Sequence, residues 1–163
     1  MAIVLGATYP ELYAGVGAHS GLPYASAHDI PSAFAAMKSG GGQNSSRTTS
    51  TRNGSRAVPT IVFHGDSDQT VTSRNAKAIV DQAMGAHPDH ARFVATSQEG
   101  VTAGLRHVRT VYAAGTSAPP VEHWVIRGGG HAWSGGSSSG SYTDARGPDA
   151  SAEMIRFFNA HAL

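Results

Sequence analysis

Apolar residues fall along this chain in blocks whose spacing alternates between helix-like and strand-like. Met1-Ala2-Ile3-Val4-Leu5-Gly6-Ala7-Thr8-Tyr9 is apolar almost all round, which predicts a buried helix closed by Pro10. No Ser, Thr, Asp or Asn precedes it to cap its first amides, so the expectation is a helix that continues from a longer protein upstream. Tyr13 to Gly21 is a small-residue stretch ending in Gly, the composition of a tightly packed strand. Ile30, Phe34 and Met37 then recur at helical spacing between Asp29 and Lys38, with Pro31 in the first turn. Gly40-Gly41-Gly42 ends that helix, and the Ser-, Thr- and Arg-rich Gln43 to Arg56 reads as an exposed loop.

Ala57-Val58-Pro59-Thr60-Ile61-Val62-Phe63-His64 is a continuous apolar run stopping in Gly65-Asp66-Ser67-Asp68, the signature of a buried parallel strand feeding a polar loop. Ala76, Ile79, Val80 and Ala83 share one face of a helix from Ser73 to Met84. Arg106 to Tyr112 alternates polar and apolar, and Glu122 to Ile126 follows a Gly- and Pro-containing turn, so the two are expected to pair antiparallel. A last helix starts near Asp149, an acidic cap, and is expected to carry Met154, Ile155, Phe157 and Phe158 inward. The order predicts an α/β sheet of about three parallel strands plus an antiparallel hairpin strand, flanked by helices. Such a sheet would leave an unpaired edge beside its first strand, so residues 1–163 are expected to form the C-terminal part of a larger domain.

Composition narrows the function. Twelve Lys+Arg against 11 Asp+Glu leave a net charge of +1, with no basic excess to neutralise a nucleic-acid backbone. The longest apolar run, at the start, is far shorter than the roughly 20 residues needed to cross a bilayer, so no membrane insertion is expected. It has neither a basic leading region nor a cleavage site, so it does not read as a signal peptide. With no Cys, disulfides, thiolate zinc sites and cysteine nucleophiles are excluded, while the compartment stays open. Among nine His, the one close pair is His87-Pro88-Asp89-His90, whose Pro argues against one-face helical ligation, and a solvated loop without metal is expected.

In open α/β sheets functional groups gather outside the carboxyl ends of strands. Two strand ends stand out here: Gly65-Asp66-Ser67-Asp68-Gln69-Thr70-Val71, and Gly128-Gly129-Gly130-His131-Ala132-Trp133. An acid on one loop and a His on a later one are what a Ser-His-acid relay needs, because the carboxylate fixes the imidazole tautomer while the imidazole takes a serine proton. Asp66 and Asp68 both remain candidates for the acid on this ground. The Gly128-Gly129-Gly130 run lacks the lysine and helix start of a phosphate cradle, and is read as letting the backbone pass close to a substrate.

His64 to Val71 resembles the acid loop of the PHB depolymerase family esterases, which include short-chain polyhydroxyalkanoate depolymerases. Gly129-Gly130-His131-Ala132-Trp133-Ser134-Gly135-Gly136 resembles that family's histidine loop, and Gly147 to Ser151 followed by Met154 to Phe158 resembles its closing helix. Three such patterns in the right order are specific. The resemblance implies an α/β-hydrolase fold, Asp68 as the acid, His131 as the base, an ester substrate and no cofactor; Trp133 is by default a packing residue whose functional reading is a wall of the acyl pocket, and Ser20 is read as pocket lining or structure. Related feruloyl and acetylxylan esterases use similar loops, and relatives are often secreted.

One departure matters. The family's Gly-x-Ser-x-Gly elbow would lie about five residues before Met1. Gly136-Ser137-Ser138-Ser139-Gly140 matches it formally, but follows the histidine and lacks a strand before it or a helix after it. Ser20 lacks the tight strand-to-helix turn. The expectation is therefore a chain inactive alone, completed by an N-terminal complement of the same domain. The competing reading is a non-catalytic module acting through packing or association at its open sheet edge.

Overall fold

Thr60–Gly65 (β2) is buried at every position. A strand covered on both faces has no solvent side to mark with polar residues, which is why its sequence is one apolar run. The computed structural model describes residues 1–41, 57–87, 92–115 and 120–161; the expected loop from Gln43 to Arg56, and Pro88 to His90 of the histidine pair, lie outside them.

Around β2 a five-stranded sheet forms. Val16–His19 (β1) pairs parallel with one side of β2, and Val121–Ile126 (β5) pairs parallel with the other, His64 lying opposite Val125 and Gly65 opposite Ile126. Leu105–Ala113 (β4) runs antiparallel to β5, as the alternating pattern predicted, and Val94–Thr102 (β3) runs antiparallel to β4. The order is β1-β2-β5-β4-β3. β3 was not foreseen. Val-Ala-Thr-Ser-Gln-Glu-Gly-Val-Thr shows neither an apolar face nor burial, and forms a strand because its backbone pairs with β4. Ala103 and Gly104 join the two at φ of 46° and 99°, the left-handed pair of a two-residue hairpin turn that matches the strand twist. Among the described residues, the outer edge of β1 has no partner strand.

Helices cover both faces. Arg74–Gly85 (α3) packs Ala76, Ile79 and Val80 on Ala18, Val62 and Val121. Ala150–Ala160 (α4) packs Met154 and Phe157 on Ile61, Phe63, Trp124 and Ile126, with Phe158 partly buried beside them. Asp149 caps α4, its Oδ1 accepting the Ala152 amide at 3.0 Å. Ile155, expected inward, is 60% exposed, because the residue after Met154 lies about 100° further round the helix and faces water.

Ile30–Ser39 (α2) opens with a capping box between Asp29 and Ser32. Its spacing correctly marked a helix, but Ile30 and Phe34 are exposed and Ala36 is the buried residue. Ala2–Thr8 (α1) is helical without a side-chain cap, yet only Gly6 is buried. The buried helix expected there is not what the described residues form: Met1 and Val4 are exposed. Gly6 is needed because a β-carbon there would overlap the Val16 side chain.

Phe157→Ala should lower the unfolding free energy by about 3–5 kcal/mol, whereas Ile155→Ala should change it by no more than about 0.5 kcal/mol. Urea titration of the two variants checks the direction α4 faces, and equal effects would contradict this packing.

Candidate active site

β2 and β5 end level, so the loops that leave them start side by side. The Asp66 amide donates to the Ile126 carbonyl and the Ser67 amide to the Gly129 carbonyl, each at 3.0 Å. In return the Asp66 carboxylate accepts the Gly128 amide at 2.7 Å and Arg127 Nη1 at 3.2 Å. Asp66 thus clasps the second loop. The glycine run packs on the acid loop, rather than merely leaving room for a substrate as its composition suggested.

Asp68 plays a different part. Its Oδ1 accepts the Thr70 and Val71 amides, both at 2.9 Å, closing its own turn. Its Oδ2 lies 2.8 Å from Nδ1 of His131, 63 positions later. An ionised carboxylate has only lone pairs to offer, so His131 Nδ1 carries a proton toward Asp68, and in the neutral ring Nε2 is the nitrogen with the lone pair. The Asp68 side chain is fully buried while that of His131 is 39% exposed. Burial alone would raise the Asp68 carboxyl, but the Val71 amide, the His131 side chain and the Thr70 amide together outweigh it and hold it below the usual range.

Two further imidazoles stand by. His64, at the end of β2, is buried and donates Nε2–H to the Val71 carbonyl at 2.8 Å, with Asp68 Oδ2 at 3.4 Å from the same nitrogen. Burial pushes its pKa down, against the Val71 carbonyl and Asp68. His19, at the end of β1, was missed in the sequence. The available signal was that a third parallel strand delivers His19-Ser20 to the same sheet edge. Its Nδ1 lies 3.1 Å from Ser20 Oγ and its Nε2 accepts the Ser134 amide at 3.0 Å. Burial, then the neighbouring His64 and His131, push its pKa down to about 4, with Asp68 opposing.

Ser20 sits at φ 51°, held by its amide on the Phe63 carbonyl at 3.0 Å. Trp133 is 37% exposed, stacks on His19 with centroids 5.0 Å apart, and donates Nε1–H to Ser151 Oγ at 3.1 Å. His19 therefore links Ser20 to Trp133. Among the described residues, no group of three His, Asp or Glu side chains is placed to hold a metal ion. Chemically, the Asp68 carboxylate orients the His131 ring and fixes a proton on its Nδ1, the arrangement a general base requires.

The family described as Esterase PHB depolymerase matches residues 1–99, which include β1, β2 and the Asp68 loop. Poly(3-hydroxyalkanoate) depolymerase C of Paucimonas lemoignei is 33% identical over 142 residues, covering 80% of this chain and 32% of that protein. The chain thus spans about a third of the length of this curated relative.

Neutral histidines leave a mark on stability. His19 and His123 have folded pKa values of about 4, against an ordinary 6.5; for His123 the causes are burial, then His64 and Lys77, opposed by Asp81. Between those values the unfolded chain holds protons that the folded one does not, so stability should fall as pH drops through that window. Each group contributes up to about 1 kcal/mol per pH unit. Urea unfolding at pH 7, 5.5 and 4.5 measures the slope, and a flat profile would contradict the neutral assignments.

Proposed function

We propose that this chain, which belongs to the esterase PHB depolymerase family, carries the acid and base of a carboxylic ester hydrolase. The observation that carries the reading is the 2.8 Å contact between buried Asp68 and partly exposed His131. His131 Nε2 takes the proton of a serine hydroxyl as that oxygen attacks the ester carbonyl. The imidazolium, stabilised by Asp68, then protonates the departing alcohol, and the same nitrogen activates water to release the acyl group. No cofactor enters these steps. Asp66 is committed to Gly128 and Arg127, which favours Asp68 as the acid.

The reading assigns the nucleophile to a serine outside these 163 residues. Among the described residues no hydroxyl is hydrogen-bonded to His131 Nε2. The formal Gly136–Gly140 motif lies in an exposed turn, where Ser137 and Ser139 bond each other at 2.8 Å. Ser20 Oγ accepts a hydrogen bond from Nδ1 of a neutral His19 whose Nε2 lone pair is already taken by the Ser134 amide, so no free lone pair there can take the Ser20 proton, and Ser20 is assigned with Trp133 to the wall of the acyl pocket. An N-terminal complement fits the unpaired edge of β1 and the exposed apolar side chains of Met1, Val4, Tyr9 and Leu12 nearby. The same open edge favours a second reading, a module that works by association alone. The substrate proposed is an ester, and the name of the Paucimonas lemoignei relative makes a poly(3-hydroxyalkanoate) the first polyester to try.

The 163-residue chain alone should hydrolyse p-nitrophenyl butyrate no faster than buffer. Extending it with a segment that supplies the elbow and earlier strands should restore turnover. In that extended protein His131→Ala or Asp68→Asn should lower kcat by about 10⁴-fold, and Asp66→Asn by less than about 10-fold. Indifference of the extended protein to His131→Ala would overturn the mechanism, and absence of any turnover would favour the association reading.

A further inference from the structure

The turn that carries His131 hangs between two attachments to earlier strands. On its N-terminal side, Gly128 and Gly129 are bonded to Asp66 and Ser67. On its C-terminal side, the Trp133 amide, the Gly135 amide and Ser134 Oγ bond to Tyr142, Asp144 and Pro148, in the segment that leads into α4 and is joined to β4 by the Leu105 amide on the Arg146 carbonyl at 3.0 Å. The hydrogen bond that joins that side directly to the end of β1 is the Ser134 amide on His19 Nε2, spanning 115 positions.

This bond is not an incidental one. Ser134 is only 2% exposed, so its amide has no water to turn to and needs an acceptor inside the protein. An imidazole nitrogen accepts only when it carries no proton, so Ser134 selects the His19 tautomer with its proton on Nδ1, and Nδ1–H donates to Ser20 Oγ. Two aromatic neighbours flank the ring. It lies against Phe63, with centroids 5.9 Å apart and planes 4° from parallel, and against Trp133, at 5.0 Å and 25°. The downward shift in its pKa, caused first by burial, keeps that acceptor unprotonated at neutral pH.

We propose that His19 is a positioning residue for His131: its neutral ring accepts the Ser134 amide and thereby holds the C-terminal side of the histidine turn where His131 reaches Asp68. The proposal rests on the reading of His131 as the base. His19 touches no reacting atom in this scheme. It acts through the backbone three residues beyond His131, and the Trp133 stack aligns the ring for that bond.

Two variants of the 163-residue chain separate the acceptor from the ring. His19→Phe keeps an aromatic plane between Phe63 and Trp133 but removes the acceptor, while His19→Gln removes the ring but places an amide oxygen near where Nε2 lies. Nuclear magnetic resonance reads two signals, hydrogen exchange of the Ser134 amide and the low-field Nδ1 proton of His131 bonded to Asp68. In His19→Phe, exchange at Ser134 should accelerate about tenfold or more and the His131 proton should be lost, with the fold retained by circular dichroism. His19→Gln should preserve both signals. A folded His19→Phe that keeps the His131 proton would overturn the proposal, as would a His19→Gln that loses it; if His19→Phe does not fold, His19→Gln decides alone. Neither readout needs turnover. An extended protein that ignores His131→Ala therefore removes the base assignment but not the tether, whereas unchanged signals in both variants remove the tether but not the base assignment.

Discussion

Gly65 and Gly129 approach so closely at the carboxyl edge of the sheet that neither could carry a side chain without moving the other. A β-carbon on Gly65 would overlap the Gly129 carbonyl, and one on Gly129 would sit 3.2 Å from the Gly65 α-carbon. This contact sets the distance between the acid loop and the histidine loop. Parallel pairing of β2 with β5 brings the loops to one edge, since both strands end level. It does not make them touch. Bare backbone at these two positions lets the Ser67 amide reach the Gly129 carbonyl, and from that starting point Asp68 needs only its own closed turn to aim Oδ2 at His131.

Electrostatics then sort three imidazoles around one carboxylate. His19, His64 and His131 are all close enough to Asp68 to feel its charge, and a carboxylate stabilises whichever imidazole is protonated. Burial decides among them. His64 is enclosed by the sheet and the Val71 carbonyl, and His19 lies between two aromatic rings with its Nε2 already used as an acceptor. Protonating either would put charge where water cannot solvate it. His131 has the more exposed ring and the direct Asp68 partner, so it is the imidazole that the carboxylate orients.

The two edges of the sheet are built on different principles. On the β3 side eight of the nine positions are exposed, and Thr96, Ser97, Gln98 and Glu99 make its middle polar, the kind of edge that discourages pairing with other chains. Inward from it, buried Glu122 accepts Arg109 on both oxygens at 2.9 and 2.7 Å, Arg156 at 2.7 Å and the Trp124 indole at 3.2 Å, tying β4, β5 and α4 together. On the β1 side the open edge lies beside exposed apolar residues of α1.

The residue pattern alone revealed most of the framework, because burial writes itself into period. β2 is continuous apolar, α3 and α4 carry apolar faces, Asp149 announces a cap, and the alternation in β4 predicts its pairing with β5. Where burial does not govern, the pattern fell silent or misled. β3 is held by backbone pairing with no apolar face to mark it; Ile30, Phe34 and Ile155 have the spacing of core residues but point outward, since spacing fixes a helix and not which of its sides meets the sheet. At the site, the strand ends named the loops, and resemblance named Asp68 and His131. Only the tertiary structure decided that Asp66 clasps the histidine loop while Asp68 meets His131, and that His19 joins Ser20, Ser134 and Trp133. Apart from that between the neighbours His19 and Ser20, those contacts join residues 61 to 115 positions apart, and a bond across such a separation exists only once the parallel strands have set their ends side by side.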